Sequence, residues 1–447
     1  MRRDRHPARD LYLGVDLGTS GIRVAAIDGC DRIRSMVART WPHGRAMDPG
    51  TWNRLTLDLL SRVLRRIDSA RVRAIAIDGT SGTVVLCGSC GTPRGQALAY
   101  DDNRAHTEAA QVAAVAPASA AGGATGGPAK LLWLKARRSS PSRALTQASF
   151  VSGRLTGHYG VCDEHNALKL GASGQHWPAW LRTLGLAPLL PRIVPPGTRL
   201  APLRRALCQR LGLRHAPWVV TGTTDSTAGI LALGPLPAGT AVTTLGSTLV
   251  LKIVSAVRVA VPEMGVYSHR LGSAWLAGGA SNTGGRVLQH FFSVSELRRL
   301  SEHLPFPKPT GLRYYPLLKE GERFPVQDPH WPPALTPRPA DDALFLQGLM
   351  EGIAAVERLG YETLAAHGAP YPRRVVTLGG GARNRAWQTI RARTLGVPVA
   401  AAHGAAAAGA ARLAHMALAA SWRIRLTNNG SARGECRRAP KRTDKQR

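Results

Sequence analysis

Three short strings rich in glycine and hydroxyl side chains are the parts of this chain best suited to chemistry on phosphates. Asp16-Leu17-Gly18-Thr19-Ser20-Gly21, Thr244-Leu245-Gly246-Ser247-Thr248 and Leu378-Gly379-Gly380-Gly381-Ala382-Arg383-Asn384 each continue an apolar run. Glycine lets backbone N–H groups approach a phosphate, and Ser or Thr hydroxyls donate to its oxygens. Two such turns facing one another can hold a polyphosphate from both sides. The spacing is not that of a P-loop, because G-x-x-x-x-G-K-(S/T) does not occur, and Gly379 to Gly381 lack the G-x-G-x-x-G of a dinucleotide site. Singly, each string is an ordinary turn; their combination and order carry the information.

The elements that must position these turns are legible around them. Leu11 to Asp16 and Ile22 to Ile27 read as strands flanking the first turn, and Thr240 to Leu245 and Leu249 to Val254 repeat the plan around the second, a weak internal duplication. Trp52, Leu55, Leu59, Leu60, Val63, Leu64 and Ile67 recur at helical spacing ahead of a further strand, Val72 to Ile77. Phe345, Leu349, Ile353, Val356 and Leu359 mark a long amphipathic helix, opened by Asp341 as N-cap and closed near Gly368, ahead of strand Val375 to Leu378. The stretch Ala109 to Gly127 reads as loop or weak helix. Strands alternating with helices predict an α/β fold.

With 447 residues, 44% of them hydrophobic, the chain exceeds what one core usually supports, so two domains are expected. The turn-forming cluster Gly234-Pro235-Leu236-Pro237-Ala238-Gly239 sets the boundary, giving domains at 11–234 and 235–418 and a basic tail at 419–447. No apolar run approaches ~20 residues, which predicts a soluble, cytoplasmic protein with no membrane partner. Six scattered cysteines point to reduced thiols, and Cys87-Gly88-Ser89-Cys90-Gly91 reads as a hairpin turn rather than a metal or redox site. A net charge of +31 raises the question of nucleic acid, but the arginines are spread over helix faces and only 433–447 forms a dense block. Nucleic acid could attach through that tail; a solvated surface is the simpler reading.

The strings together resemble the FGGY carbohydrate kinases over about residues 11–400. Gly14 to Ser20 and Thr244 to Thr248 resemble the two phosphate motifs of the actin, hexokinase and sugar-kinase superfamily, and 378–384 its adenosine motif. Gly222-Thr223-Thr224-Asp225-Ser226-Thr227-Ala228-Gly229 resembles the segment that carries the catalytic aspartate. Asp78-Gly79-Thr80-Ser81, Asp163-Glu164-His165-Asn166-Ala167-Leu168-Lys169 and Gly278 to Gly285 resemble the D-ribulose kinase branch, as does Tyr314-Tyr315-Pro316-Leu317 with Gly321-Glu322-Arg323-Phe324-Pro325. Two departures stand out. Ala405 replaces a usual acidic residue before the Ala-rich run to Ala411, and 78–81 lacks the Met-His-Gly of typical xylulokinases.

The resemblance implies two actin-like, ribonuclease H-like domains around an active-site cleft, with ATP and Mg²⁺ as cofactors, a small sugar as substrate and room for a homodimer. Asp225 is implied as general base on the sugar hydroxyl, against a local reading as a helix-capping aspartate. Asp16 is implied to hold Mg²⁺, against a strand-end Asp bonded to its turn. Gly18, Thr19, Ser20, Gly246, Ser247, Thr248, Gly379, Gly380, Gly381 and Asn384 are implied at the nucleotide. Asp102 and Arg104, in Tyr100-Asp101-Asp102-Asn103-Arg104, are implied at the sugar with Thr80 and Asn166; for Asp102 and Arg104 the alternative is a surface ion pair, and a neighbouring His165 is equally well read as structural. The implied activity is phosphorylation of D-ribulose to D-ribulose 5-phosphate. Another ketose or polyol such as D-xylulose, or a basic nucleic-acid-binding protein on a degenerate kinase fold, remain the alternatives.

Overall fold

The computed structural model describes residues 9–117, 119, 121–302, 304 and 308–419. The tail expected at 419–447 therefore lies, from residue 420 on, outside the described residues. Two six-stranded sheets dominate, and we number only their strands. The first contains β1 (Leu11–Leu17), β2 (Gly21–Asp28), β3 (Ile33–Thr40), β4 (Val72–Gly79), β5 (Arg199–Pro202) and β6 (Trp218–Val220), in the order β3-β2-β1-β4-β6-β5. The second contains β7 (Thr240–Leu245), β8 (Leu249–Ser255), β9 (Tyr267–Leu271), β10 (Ala274–Ser281), β11 (Arg374–Leu378) and β12 (Val399–Ala401), in the order β9-β10-β8-β7-β11-β12.

The duplication expected from the hairpins extends to the whole sheet core. In the first sheet β3/β2 and β2/β1 are antiparallel, while β1/β4 and β4/β6 are parallel. In the second, β10/β8 and β8/β7 are antiparallel, while β7/β11 and β11/β12 are parallel. Parallel strands must have both faces covered. Leu11, Leu13, Val15 and Leu17 of β1 pack on one side with Trp52, Leu55 and Leu59 of α1 (Pro49–Leu64), while Tyr12 joins an alanine-rich layer on the other.

That alanine layer comes from the far end of the chain. Helix α2 (Gly127–Ala136) and the short α3 (Glu164–Leu168) decorate the first half, and α4 (Asp225–Leu231) ends it. The second half adds α5 (Gly285–Phe291), α6 (Val294–Glu302), α7 (Asp342–Ala366), α8 (Arg385–Leu395) and α9 (Ala406–Leu418). Ala407, Ala410, Ala411 and Ala414 of α9 pack beneath the first sheet with Tyr12, Ala74 and Ala76. Ile230 and Leu231 of α4 pack against Val242, Val254 and Leu276 of the second sheet. The two helices thus form a crossed layer between the sheets, and glycine permits the crossing: a Cβ at Gly409 would lie 1.7 Å from Ala228 O, and one at Gly404 2.2 Å from Gly229 O. Gly14 plays the same part beneath α9, where a Cβ would lie 2.0 Å from Ala407 O.

Helix α7 begins as read, with Asp341 accepting from Ala343 N at 2.8 Å. Its inward stripe differs by one position: Leu359 is 41% exposed, whereas Glu357 is fully buried. The stretch read as loop or weak helix contains a ten-residue helix, His106–Val115. Among the described residues, no helix is long and apolar enough to cross a membrane.

Candidate active site

The carboxyl ends of the parallel strands, where backbone turns away from the sheets, carry the site. Asp16 near the end of β1 stands directly beside Asp78 near the end of β4, partners in the parallel register. Arg23 Nη1 donates to Asp16 Oδ2 at 3.1 Å. Asp16 Oδ1 and both carboxyl oxygens of Asp78 are buried without a hydrogen-bond partner among the described residues. Burial raises both carboxyls, and the Asp16 charge pushes Asp78 up further, so the pair needs a shared proton or a cation.

Mg²⁺ suits such a pair, since it is held by one or two carboxylates and completes its shell with phosphate oxygens and water. Among the described residues no cluster of three or more His, Cys, Asp or Glu could form an all-protein cage. Asp78 had no role in the sequence reading. Its signal was present: like Asp16, it closes an apolar run and precedes a glycine-containing turn.

Asp225 is the first residue of α4, whose N-cap is Thr224; its Oδ1 accepts from Ser226 N at 2.7 Å. Its side chain keeps some solvent contact, yet burial pushes its carboxyl up to about 6, with the Asp16 charge contributing. The same charges reach Tyr100, whose hydroxyl meets the Thr19 side chain and lies in the fields of Asp101, Asp225 and Arg286. Arg286 belongs to α5 of the second half and is anchored by its N–H to Ser247 O at 3.2 Å. Thr19 of the first turn, Asp225 and the Gly246-Ser247 turn therefore face one cleft between the two sheets. Thr19, Ser20 and Ser247 are exposed at their hairpin tips, with Gly18 and Gly246 closing them through Gly18 N to Gly21 O at 2.9 Å and Gly246 N to Thr248 O at 3.2 Å.

Behind the second turn opens a cavity of about 950 Å³, lined by Gly246, Ser247, Gly285, Leu297, Gly380, Gly381, Asn384 and Trp387 among others. Gly379 has φ +90° and a Cβ there would lie 2.4 Å from Leu245 O, so only glycine lets β11 turn against the hairpin. A Cβ at Gly380 meets nothing within 4 Å, leaving that backbone open. Asn384 caps α8 by accepting from Trp387 N at 3.0 Å and donates to Ser301 Oγ at 2.8 Å. Its side chain orders the cavity wall. This volume and its glycine floor suit a nucleotide.

The residues expected at the sugar are placed unequally. Thr80 is buried, its hydroxyl in contact with Thr83 Oγ1 at 2.6 Å and donating to Gln147 Oε1 at 2.9 Å, so it orders its loop. Arg104 Nε donates to Asp102 Oδ1 at 2.8 Å, and the guanidinium lies 5.3 Å from the Trp133 ring, an ion pair at the rim. Asn166 donates to Asp163 at 2.8 Å, leaving its Oδ1 buried without a partner among the described residues. His165 Nδ1 meets Thr223 Oγ1 at 2.7 Å, and burial pushes its imidazole down to about 3, keeping it neutral.

Sequence reasoning missed Lys130, a fully buried lysine in an otherwise apolar helical run. Its Nζ donates to Gly82 O at 2.6 Å and Ala99 O at 2.7 Å, clamping the loop after β4 to the loop that carries Tyr100 through Arg104.

Two related halves with paired glycine-rich hairpins and a cleft between them constitute a two-domain actin-like fold. Residues 239–418 match the C-terminal domain of the FGGY family of carbohydrate kinases. It is 24% identical to the xylulose kinase of Escherichia coli K12 over 91% of this chain and 90% of that protein. It is 26% identical to the autoinducer-2 kinase of Yersinia pestis, over 88% and 83% of the two chains. The crystal structure of xylulose kinase from Rhodospirillum rubrum superposes with a TM-score of 0.78 at 22% identity, covering 93% of this chain and 91% of that one.

Proposed function

We propose that this protein transfers the terminal phosphoryl group of ATP to a hydroxyl of a small sugar, and that the sugar is a ketopentose, D-ribulose. The observation that carries the reading is the position and state of Asp225: a carboxylate raised by burial, at the cleft between two phosphate-side turns and within the field of the Asp16–Asp78 pair. The match of residues 239–418 to the C-terminal domain of that kinase family, and likeness to a sugar kinase over about nine-tenths of both chains, support the same reaction class. The relatives act on different substrates, as their names state, so the choice of D-ribulose rests on the strings at 78–81, 163–169 and 278–285.

Mg-ATP supplies the phosphoryl group and neutralises charge on its oxygens when bound. The chain's own residues do the rest. Asp16 and Asp78 would hold the metal, Thr19, Ser20, Gly246, Ser247 and Thr248 would donate to the phosphates, and Gly379 to Gly381 would floor the adenosine cavity. Asp225 takes the sugar's hydroxyl proton as the oxygen attacks phosphorus, and closure of the cleft excludes water that would otherwise compete as acceptor.

The test is ADP release with ATP and Mg²⁺ across a panel of ketoses, polyols and aldoses. D-ribulose is expected to stimulate most; equal or better turnover of D-xylulose or glycerol overturns the substrate assignment. In Asp225→Asn, kcat is expected to fall by ~10²–10⁴ with little change in ATP affinity. Near-normal kcat in a folded variant removes Asp225 from the mechanism.

A further inference from the structure

Beside the catalytic loop lies a buried cationic cluster to which the mechanism above gives no task. Lys252 of β8 is 4% exposed, and its Nζ makes no hydrogen bond of good geometry among the described residues, although the Tyr267 hydroxyl is near enough to interact with it. It sits 3.9 Å from the centre of the Tyr267 ring, which Lys169 also approaches, at 5.0 Å. His269 stands 5.3 Å from the same ring and 4.7 Å from His165.

The cluster is walled by the two substrate-side loops. On one side, a Cβ at Gly82 would lie 3.7 Å from Lys169 Cβ, and Lys130 holds Gly82 O. On the other, His165 meets Thr223 and His269 Nδ1 meets Thr227 Oγ1 at 3.3 Å, two residues to either side of Asp225. Lys252 and Val254, two residues apart on β8, point to the same face, and Val254 packs with Ile230 and Leu231 of α4, so Lys252 faces the first domain. It is four residues beyond Thr248 of the phosphate-side turn, ~13 Å along an extended strand.

A buried ammonium without an acceptor is costly unless a ligand supplies one. The lysines draw the Tyr267 hydroxyl down to about 7, so the cluster already holds a group able to become its counter-charge. What Lys252 lacks is a well-placed acceptor rather than a second negative charge. A ketopentose offers one only in a particular form. Its furanose ring closes through O5, so phosphorylation at O5 requires the open chain, and the open chain exposes the C2 carbonyl oxygen.

We propose, resting on the sugar-kinase reading above, that Lys252 is a specificity-determining residue whose ammonium donates to the carbonyl oxygen of an open-chain ketose. The site thereby selects 2-keto sugars over the polyols of the same length. A polyol presents an sp³ hydroxyl, which lies out of the carbonyl plane and brings its own proton toward a group that has only donors.

The experiment compares kcat/KM for D-ribulose and ribitol in wild type, Lys252→Met and Lys252→Gln. Methionine fills the space without a donor; glutamine restores an uncharged one. Wild type is expected to prefer D-ribulose. Lys252→Met is expected to lose ~10–100-fold on D-ribulose, the worth of one charged hydrogen bond, and little on ribitol, with Lys252→Gln between. Without nucleotide, D-ribulose should raise the melting temperature of wild type but not of Lys252→Met, and that variant should itself melt higher because the unpaired buried amine is gone. A merely structural Lys252 predicts the reverse shift in melting.

An unchanged ribulose-to-ribitol ratio in Lys252→Met overturns the inference while leaving the kinase reading intact. So does a wild-type preference for ribonate over D-ribulose, which would make the cluster a carboxylate site. If no sugar stimulates ADP release from wild type, the kinase reading falls and takes the role of Lys252 with it.

Discussion

Asp225 occupies the first helical position of α4 and spends one oxygen on the N–H of its neighbour, leaving the other for the cleft. Its pH behaviour follows from a folded value of about 6 against an ordinary 3.8. A base must be ionised, so kcat/KM is expected to fall as pH drops through about 6, tenfold per unit below it, when ADP release is measured from pH 5 to 9. The stability consequence has the opposite sense. The native state binds this proton more tightly than the unfolded chain, so Asp225 favours folding at pH below 3.8, and that contribution is lost as pH rises through 6. Asp225→Asn should therefore melt above wild type at pH 8, with the gap closing toward pH 4; equal melting at pH 8 would show that Asp225 is not desolvated.

Within the second domain, α7 and α8 are locked to the sheet by a buried polar network that is fully satisfied. Arg391 donates to both oxygens of Glu357 at 2.6 and 2.7 Å and to Thr377 Oγ1 at 2.7 Å, and Thr243 donates to Glu357 at 2.5 Å while meeting Tyr361 OH at 2.8 Å. Glu357 and Arg391 side chains are both 0% exposed. Removing one charge leaves the other buried and unpaired, so Glu357→Gln should lose ~3–5 kcal/mol in urea unfolding. Glu357→Leu combined with Arg391→Leu should recover much of it, because desolvation of both ions disappears together. A loss under about 1 kcal/mol in the single variant would mean that water reaches Arg391.

At the scale of the molecule, the sheets meet through α4 and α9 and through the residues flanking the cleft. In the proposed reaction, closure of the cleft would turn one domain on the other about this glycine-and-alanine contact. Gly409→Ala places a Cβ 1.7 Å from Ala228 O, which neither backbone can absorb locally. The helices must separate, shifting Asp225 at the start of α4 relative to the second-domain turns. Steady-state kinetics should show kcat falling and both substrate KM values rising together, as for hinge changes. A stability loss with unchanged kinetics would make the contact structural only.

The hairpins, the long capped helix, the α/β class and the fold family could be read from the chain alone because each depends on neighbours in sequence. Alternation in Leu11 to Leu17, the glycines of 18–21 and the cap at Asp341 are local matters of period and backbone freedom. The string 222–229 singled out Asp225 as a candidate. Only the tertiary structure decided which side chains share a space. Asp78 meets Asp16 across a parallel register 62 residues apart in sequence, and Thr80 turns its hydroxyl to Gln147 and Thr83. Glu357 is buried where Leu359 is not, because Arg391 from another helix completes its charge. Ala405 stood out as a departure, replacing a usual acidic residue; it packs partly buried against the alanine layer on which the first sheet rests. Lys252 lies inside the run Leu249 to Val254 read as a strand, and only the fold buries it beside Tyr267. Hydrogen-bond partners and burial are properties of approach between distant segments, and no periodicity within one segment encodes them.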